Sequence, residues 1–438
     1  MKIKEILGLN ARTQLYSYIY NKPKAKAKAI SKLATKKVLT KASVPIPALY
    51  AVFKGPKNVV NFDWESLPSS FALKPSRGLG GEGIIIVKKR LPGEAGWMTT
   101  KKEKVTVEDL ELHTLDILEG AYSIHNVPDV AFIEEYVGRH KAFRKYAYRG
   151  TPDIRVIVFN KVPVMAMLRL PTKESGGRAN LHQGAIAVGV DMATGITTKA
   201  LWHGKYIHRK PGTKRKLNGI KIPNWTKILE TAVACQQATG LGYLGVDIVL
   251  HPEKGPMVLE INSQPGLTIQ LANAAGLRKR LERVEDLRVR DVEHGVKIAK
   301  ALFMSSFADR VKAEEGVKII SAIQDITIKA ADKKKKKVIA KIDTGAWRTS
   351  ISETLAKEAG LLDEKNILWN KRFKSALGLE ERPVISLTFW LAGRKITTPT
   401  SVAKRMALKF PVIIGRKNLK GFLVDPVVKP SKIKEVIG

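Results

Sequence analysis

Residues Gly245-Val246-Asp247-Ile248-Val249-Leu250, a turn at His251-Pro252-Glu253-Lys254-Gly255-Pro256, and Met257-Val258-Leu259-Glu260-Ile261-Asn262 decide how this chain is read. Side chains alternate across a strand, so Glu260 and Asn262 share a face, while Val246, Ile248 and Leu250 point away from Asp247. If the two runs pair as a hairpin, Asp247, Glu260 and Asn262 converge. Two carboxylates and an amide are hard oxygen donors, a set that suits magnesium shared with nucleotide phosphates. Burying two carboxylates without a cation is costly. The alternative is a solvated acid pair on a hairpin edge.

Upstream stands Lys74-Pro75-Ser76-Arg77-Gly78-Leu79-Gly80-Gly81-Glu82-Gly83. Glycines let backbone N–H groups approach phosphate oxygens, and Lys74 and Arg77 add positive charge. Such a loop is a weak signal alone. Here the strand-like Ile84 to Val87 follows it rather than a helix, which argues against a P-loop or dinucleotide fold and leaves a flexible flap between strands. Between flap and hairpin, Phe132-Ile133-Glu134-Glu135-Tyr136-Val137 ends a strand with two acids and then apolar residues. It can line an adenine slot with an acid on the ribose, and it equally fits an ordinary strand end.

The 438 residues suit two or three packed units. Residues 1–30 read as a basic lead-in arm, and Ser31 onward as a helix ended by Pro45 and Pro47. Strand-like runs then alternate with turns and a few helices, an α+β pattern, and a charged helical stretch runs from Leu281 to Phe307. Ala313 to Gly316 forms a linker, after which the texture is all-β. The run Lys333 to Lys337 fits an exposed hairpin tip better than a localisation or RNA signal. No apolar run approaches the ~20 residues of a membrane span, so no membrane partner is expected. Cys235, the only cysteine, sits in a helical pattern without a nearby His and reads as a packed residue. With no disulfide available, a cytoplasmic protein is expected. The net charge of +37 favours acidic partners, but it is spread over every region with few aromatics among it, as on a Lys-rich solvated surface.

The order SKLATKKVLTKASVPIP, FALKPSRGLGGEG, FIEEYV, GTPDIRVIVFN, MAMLRL, GRANLHQGA, GVDIVL and VLEINSQPG resembles the ATP-grasp superfamily over residues 31–310, and looks most like the RimK-like α-L-glutamate ligase-related proteins. The resemblance implies two α+β subdomains sandwiching ATP. It places Lys74 on the α- and β-phosphates with Arg77, Gly80 and Gly81 of the flap, and Glu134, Glu135 and Val137 on the adenosine. It assigns magnesium to Asp247, Glu260 and Asn262, sets Arg155 and Arg169 near the transferred phosphate, and puts Asn180 and His182 in the acceptor region. An exposed Arg pair is the alternative for Arg155 and Arg169. The implied reaction joins a carboxylate to an amine through an acyl phosphate, adding a glutamate-like amino acid to a peptide, protein or small carboxylate. Bringing two anions together calls for electrostatic stabilisation and no enzyme nucleophile.

Asp343-Thr344-Gly345-Ala346-Trp347-Arg348-Thr349-Ser350 follows a strand, and Phe410-Pro411-Val412-Ile413-Ile414-Gly415-Arg416 comes near the end. A turn with Asp-Thr-Gly and a later apolar strand ending in Gly resemble half of a pepsin-like fold. Residues 316–430 are similar to the retropepsin-like family labelled ATP-dependent zinc protease or RimB-like, which implies a small all-β barrel. Aspartic proteolysis needs two carboxylates sharing a proton, and one chain supplies only Asp343, so catalysis there requires a homodimer. No His or Cys cluster in this region supports zinc. Two other functions remain open. One is a nucleotide-dependent binder of an anionic polymer, RNA or polyglutamate, and the other a peptidase with regulatory ATP.

Overall fold

The computed structural model describes residues 5–78, 81–92, 96–123, 126–304, 318–375, 378–403 and 410–426. The chain divides into two compact units, Met1–Asp286 and Leu287–Gly438.

The first unit holds two antiparallel sheets. One is built from β1 (Leu49–Phe53), β2 (Phe71–Pro75), β3 (Ile85–Arg90), β4 (Trp97–Thr99), β5 (Lys104–Val105) and β6 (Ala131–Glu135), in the order β1-β6-β2-β3-β4-β5. Its core joins Phe71, Leu73, Val87, Trp97 and Ile133 to Leu110 and Ile117 of the helix Val107–Glu119. That helix starts on a reciprocal capping box between Thr106 and Asp109 and stops at Gly120 in the left-handed region. With one face spent on the helix, Lys74 and Glu134 stand on the other, because Ala72 pairs with Glu134 and Lys74 is two residues on from Ala72.

The second sheet is built from β7 (Asp153–Phe159), β8 (Val162–Leu170), β9 (Ile186–Val190), β10 (Thr197–Trp202), β11 (Lys205–Ile207), β12 (Tyr243–His251) and β13 (Gly255–Asn262), in the order β11-β10-β9-β8-β7-β12-β13. The helix Trp225–Thr239 packs on β7 and β12 through a buried stripe that includes Ile228, Leu229, Ala232 and Cys235. Burial pushes the Cys235 thiol well above its ordinary range, consistent with an inert packed residue.

The described part of residues 1–30 is no free arm. Leu7 and Tyr16 are buried, the Tyr20 ring meets Phe159 edge-on at 4.7 Å, and Arg12 Nη1 donates to the carbonyls of Gln264 and Pro265. Lysines dominate the composition here, but widely spaced aromatic and aliphatic residues do the packing.

The second unit contains β14 (Lys318–Ser321), β15 (Ile323–Lys329), β16 (Lys335–Asp343), β17 (Ser350–Ser352), β18 (Ile367–Ser375), β19 (Gly378–Leu391), β20 (Arg394–Ala403), β21 (Val412–Gly415) and β22 (Phe422–Asp425). The order β15-β16-β21-β17-β20-β19, with β19 pairing back to β15, closes a six-stranded barrel, and β18 extends β19. Closure leaves few open edges. Lys333 turns at φ 70° between β15 and β16, and Lys335 to Lys337 continue into β16, so the lysine run is a hairpin tip and the strand beside it. The helix Val292–Leu302 packs on β18 and β20, with His294 Nε2 3.0 Å from the Leu368 carbonyl oxygen. It therefore belongs to the second unit, and the division falls ahead of the boundary expected at residue 310.

Candidate functional site

The expected hairpin forms. Asp247 lies opposite Glu260, and Gly245 opposite Asn262, with a bulge after Asp247. On its other side β12 pairs with β7, which sets Asp247 opposite Arg155, and β7 pairs with β8, which sets Asp153 opposite Arg169. Arg155, Asp247, Arg169 and Asp153 form one largely buried cluster. Arg155 donates to both Asp247 oxygens at 2.6 Å. Arg169 donates to Asp153 at 2.5 and 2.7 Å and to Asp247 Oδ2 at 2.7 Å. Burial works against the Asp247 anion, but Arg155 and Arg169 outweigh it and hold its carboxyl down to about 2. Asp153 has one guanidinium and the Asp247 charge beside it, so burial dominates and raises its carboxyl to about 6. The arginines are not an exposed pair. Among the described residues the Nη1 group of each donates to no protein atom, which leaves donors for a further anion.

On the first sheet, Glu134 is enclosed by two ammonium groups. Lys74 Nζ pairs with Oε1, and Lys36 Nζ lies 2.5 Å from Oε2. Burial opposes the charge on Glu134, yet Lys74 and Lys36 keep its carboxyl below the ordinary range. Two cations on one anion leave a positive surplus. Glu135 accepts from Lys254 Nζ at 2.5 Å and from the Ala48 N–H at 3.2 Å, which ties β6 to the β12–β13 turn. Val137 is buried against Val249, Met257 and Leu259, an apolar wall between the two sheets.

The flap leaves β2 after Pro75. Arg77 N–H donates to Asp129 at 2.7 Å, and Gly81 (φ +83°) lies beside Arg178 of the loop between β8 and β9. Gly83 (φ +66°) has the Tyr122 ring where a Cβ would stand. Gly80 lies outside the described residues. Asn180 caps a short turn by accepting the His182 N–H at 3.0 Å, and the His182 side chain is exposed. Three residues at this site escape a reading of the sequence. Asp153 was signalled only by its period-2 spacing from Arg155. Lys36 and Lys32 lie on the helix Lys32–Lys41, and Lys32 Nζ donates to the Gly78 carbonyl at 2.8 Å and stands 3.9 Å from Glu260.

Asp343 is remote from these residues in sequence and belongs to the barrel. It pairs with Gly415 across parallel strands, and its Oδ1 accepts the N–H groups of Gly345 and Ala346 at 2.9 and 3.0 Å.

Asp247, Glu260 and Asn262 lie on neighbouring strands, and both oxygens of Asp247 are taken up by guanidinium groups. Glu260 is half-exposed at the end of β13, and Asn262 lies 3.5 Å from Asp247 Oδ2. Asp247 already serves two arginines and would share its oxygens. No trio of His, Cys, Asp or Glu among the described residues forms a metal cluster, and Asn262 turns its Nδ2 toward Asp247.

Two sheet-and-helix halves, with a glycine-rich segment after β2 and the acid and amide pattern on β12–β13, are what the family match below accounts for. A family model described as sugar-transfer associated ATP-grasp matches residues 11–286, and the chain belongs to that family, whose cofactors are ATP and magnesium. The match ends where the first unit ends. The chain is 23% identical over 253 residues to a probable α-L-glutamate ligase of Enterobacter sp. (strain 638), covering 58% of this chain and 62% of that protein. It is 34% identical over 119 residues to one of Psychromonas ingrahamii, covering 27% and 28%. The chain thus spans less than two thirds of these relatives. A solved D-alanine–D-alanine ligase from Bacillus anthracis is 16% identical, covers 68% of this chain and 72% of its own, and superposes with a TM-score of 0.33. At that score the likeness adds nothing to the family match. Among the described residues no helix is long and apolar enough to cross a membrane.

Proposed function

We propose that the first unit is a carboxylate–amine ligase that adds an amino acid to a carboxylate-bearing acceptor, the resemblance and the curated relatives pointing to glutamate. The observation behind this reading is the row Arg155–Asp247–Glu260, set side by side across three strands and reached at Glu260 by Lys32 of the helix whose Lys36 pairs with Glu134. When bound, magnesium-ATP supplies the γ-phosphoryl group that activates a carboxylate as an acyl phosphate.

Glu260, Asn262 and a shared Asp247 hold the metal. Lys74, with the surplus charge beside Glu134, holds phosphate oxygens under the flap, together with Arg77, Gly80 and Gly81. Glu134, Glu135 and Val137 seat the adenosine, with Val249 and Met257 as the apolar wall. The open Nη1 donors of Arg155 and Arg169 orient the phosphoryl oxygens and the incoming carboxylate, where charge builds up in the transition state. Asp153 acts through Arg169 by fixing its plane. Asn180 and His182 border the acceptor, and the loop they share meets the flap through Arg178 and Gly81. Closing that contact excludes water from a species that water would hydrolyse.

ADP release, screened over amino acids and acidic peptides with product masses measured, tests this reading. The expected result is ADP formed together with a product heavier by one amino acid less water. ATP turnover without any condensed product, or no turnover with any pair, overturns it. For the barrel we propose an accessory role in handling the product. Asp343 supplies half of an aspartic-protease pair, so cleavage needs a second copy.

A further inference from the structure

A cavity of about 720 Å³ opens beside Tyr136 and Gly138, just past β6, and its lining includes six cations: Lys88, Lys89, Lys102, Arg139, Arg144 and Arg149. Among the described residues no acidic side chain lines it and none of the six forms an ion pair. Arg139 gives Nη1 to the Ala147 carbonyl at 2.9 Å, while its Nε is buried with no hydrogen-bond partner. Burial and the charges of Lys141 and Arg144 push the neighbouring His140 down. Like charges gathered in a concave site repel one another and concentrate a positive field, which an anion relieves.

The register shows that this charge is surplus to the triphosphate. Leu73 pairs with Ile85 and Phe71 with Val87, so Lys88 and Lys89 lie beyond Phe71, at the end of the sheet away from the flap and beside Glu135. In the nucleotide placement proposed above the phosphates sit under the flap and the uncharged adenosine meets residues 134–137. The six cations therefore stand where the nucleotide brings no negative charge. The volume lies within the ~300–1,000 Å³ of small-molecule sites.

We propose that this cavity is a second anion site, which takes a compact polyanion bearing two or more carboxylate or phosphate groups while nucleotide is bound. The inference goes beyond the ligase reading and depends only on where the nucleotide lies.

Titration calorimetry of the full chain with citrate, and separately with inorganic pyrophosphate, tests it, each in excess magnesium with and without saturating AMPPNP. One or both probes should bind with AMPPNP present, and the arm that binds more tightly identifies the group. Arg144 and Arg149 are exposed, so Arg144→Gln with Arg149→Gln leaves folding intact. Losing two charge-assisted contacts should weaken binding at least about tenfold. The exposed pair Lys24→Gln with Lys28→Gln removes the same net charge and should leave binding unchanged. Displacement of both probes by AMPPNP would assign the cations to the nucleotide site. Equal weakening in both double variants would assign binding to the general field, and no binding of either probe would also overturn the proposal. If AMPPNP itself fails to bind, the ligase reading fails, and the anion site stands only where the Arg144/Arg149 variant weakens the probe and the Lys24/Lys28 variant does not.

Discussion

Asp247 and Asp153 share Arg169 and differ in what else they touch. Asp247 adds hydrogen bonds from Arg155, whereas Asp153 adds the Asp247 charge, so burial raises Asp153 to about 6 while the two arginines overcome burial and hold Asp247 at about 2. For Asp153 the folded value lies above the ordinary 3.8, so the folded chain takes up this proton before the unfolded chain does. The stability contributed by Asp153 is full below the unfolded value and is lost as pH rises through about 6. Asp153→Asn should therefore remove a gain in denaturant midpoint that the native protein shows on going from pH 7 to pH 5. Equal midpoint shifts in both proteins would count against it. Asp247, Glu260 and Asn262 were legible because alternation along a strand fixes which side chains share a face. Lys36 was not, since it stands among several other helix lysines and only tertiary packing brings it to Glu134.

At the scale of elements, hairpins could be read and packing partners could not. Two apolar runs around a turn at His251 to Pro256 carry their register in the spacing, and β12–β13 forms accordingly. The helix Val292–Leu302 has a clear apolar stripe, but a stripe does not say which sheet it meets, and this one meets β18 and β20. The flap shows why glycines recur in it. Gly83 holds a left-handed φ with the Tyr122 ring against its open side, while His113 Nε2 lies 2.9 Å from its carbonyl oxygen. Gly83→Ala adds strain and a clash at that hinge. The expected effect is a KM for ATP raised by about tenfold or more, with the denaturant midpoint lowered by about 1–3 kcal/mol equivalent. An unchanged KM would mean that the flap does not close on nucleotide.

For the whole molecule, composition was a poor guide. Lysine excess suggested a solvated arm before residue 31, yet Leu7, Tyr16 and Tyr20 bind that stretch into the second sheet. The barrel was legible as β-structure from its alternation, but its closure through β15 and β19 depends on a contact between distant strands. If Asp343 is one half of a protease pair, sedimentation velocity should find a dimer, and Asp343→Ala should stop peptide cleavage while leaving ADP release intact. A monomer at all concentrations would restrict the barrel to a binding or structural role.

The ATP-grasp cleft itself is best probed by titrating the full chain with AMPPNP, with and without magnesium, alongside Glu260→Gln. Affinity in the native protein should fall at least about tenfold when magnesium is removed, and the Glu260→Gln protein should bind as weakly with magnesium as without. Binding that ignores magnesium, or a variant that keeps the full magnesium effect, would contradict a metal-bound triphosphate held between Glu260 and the flap.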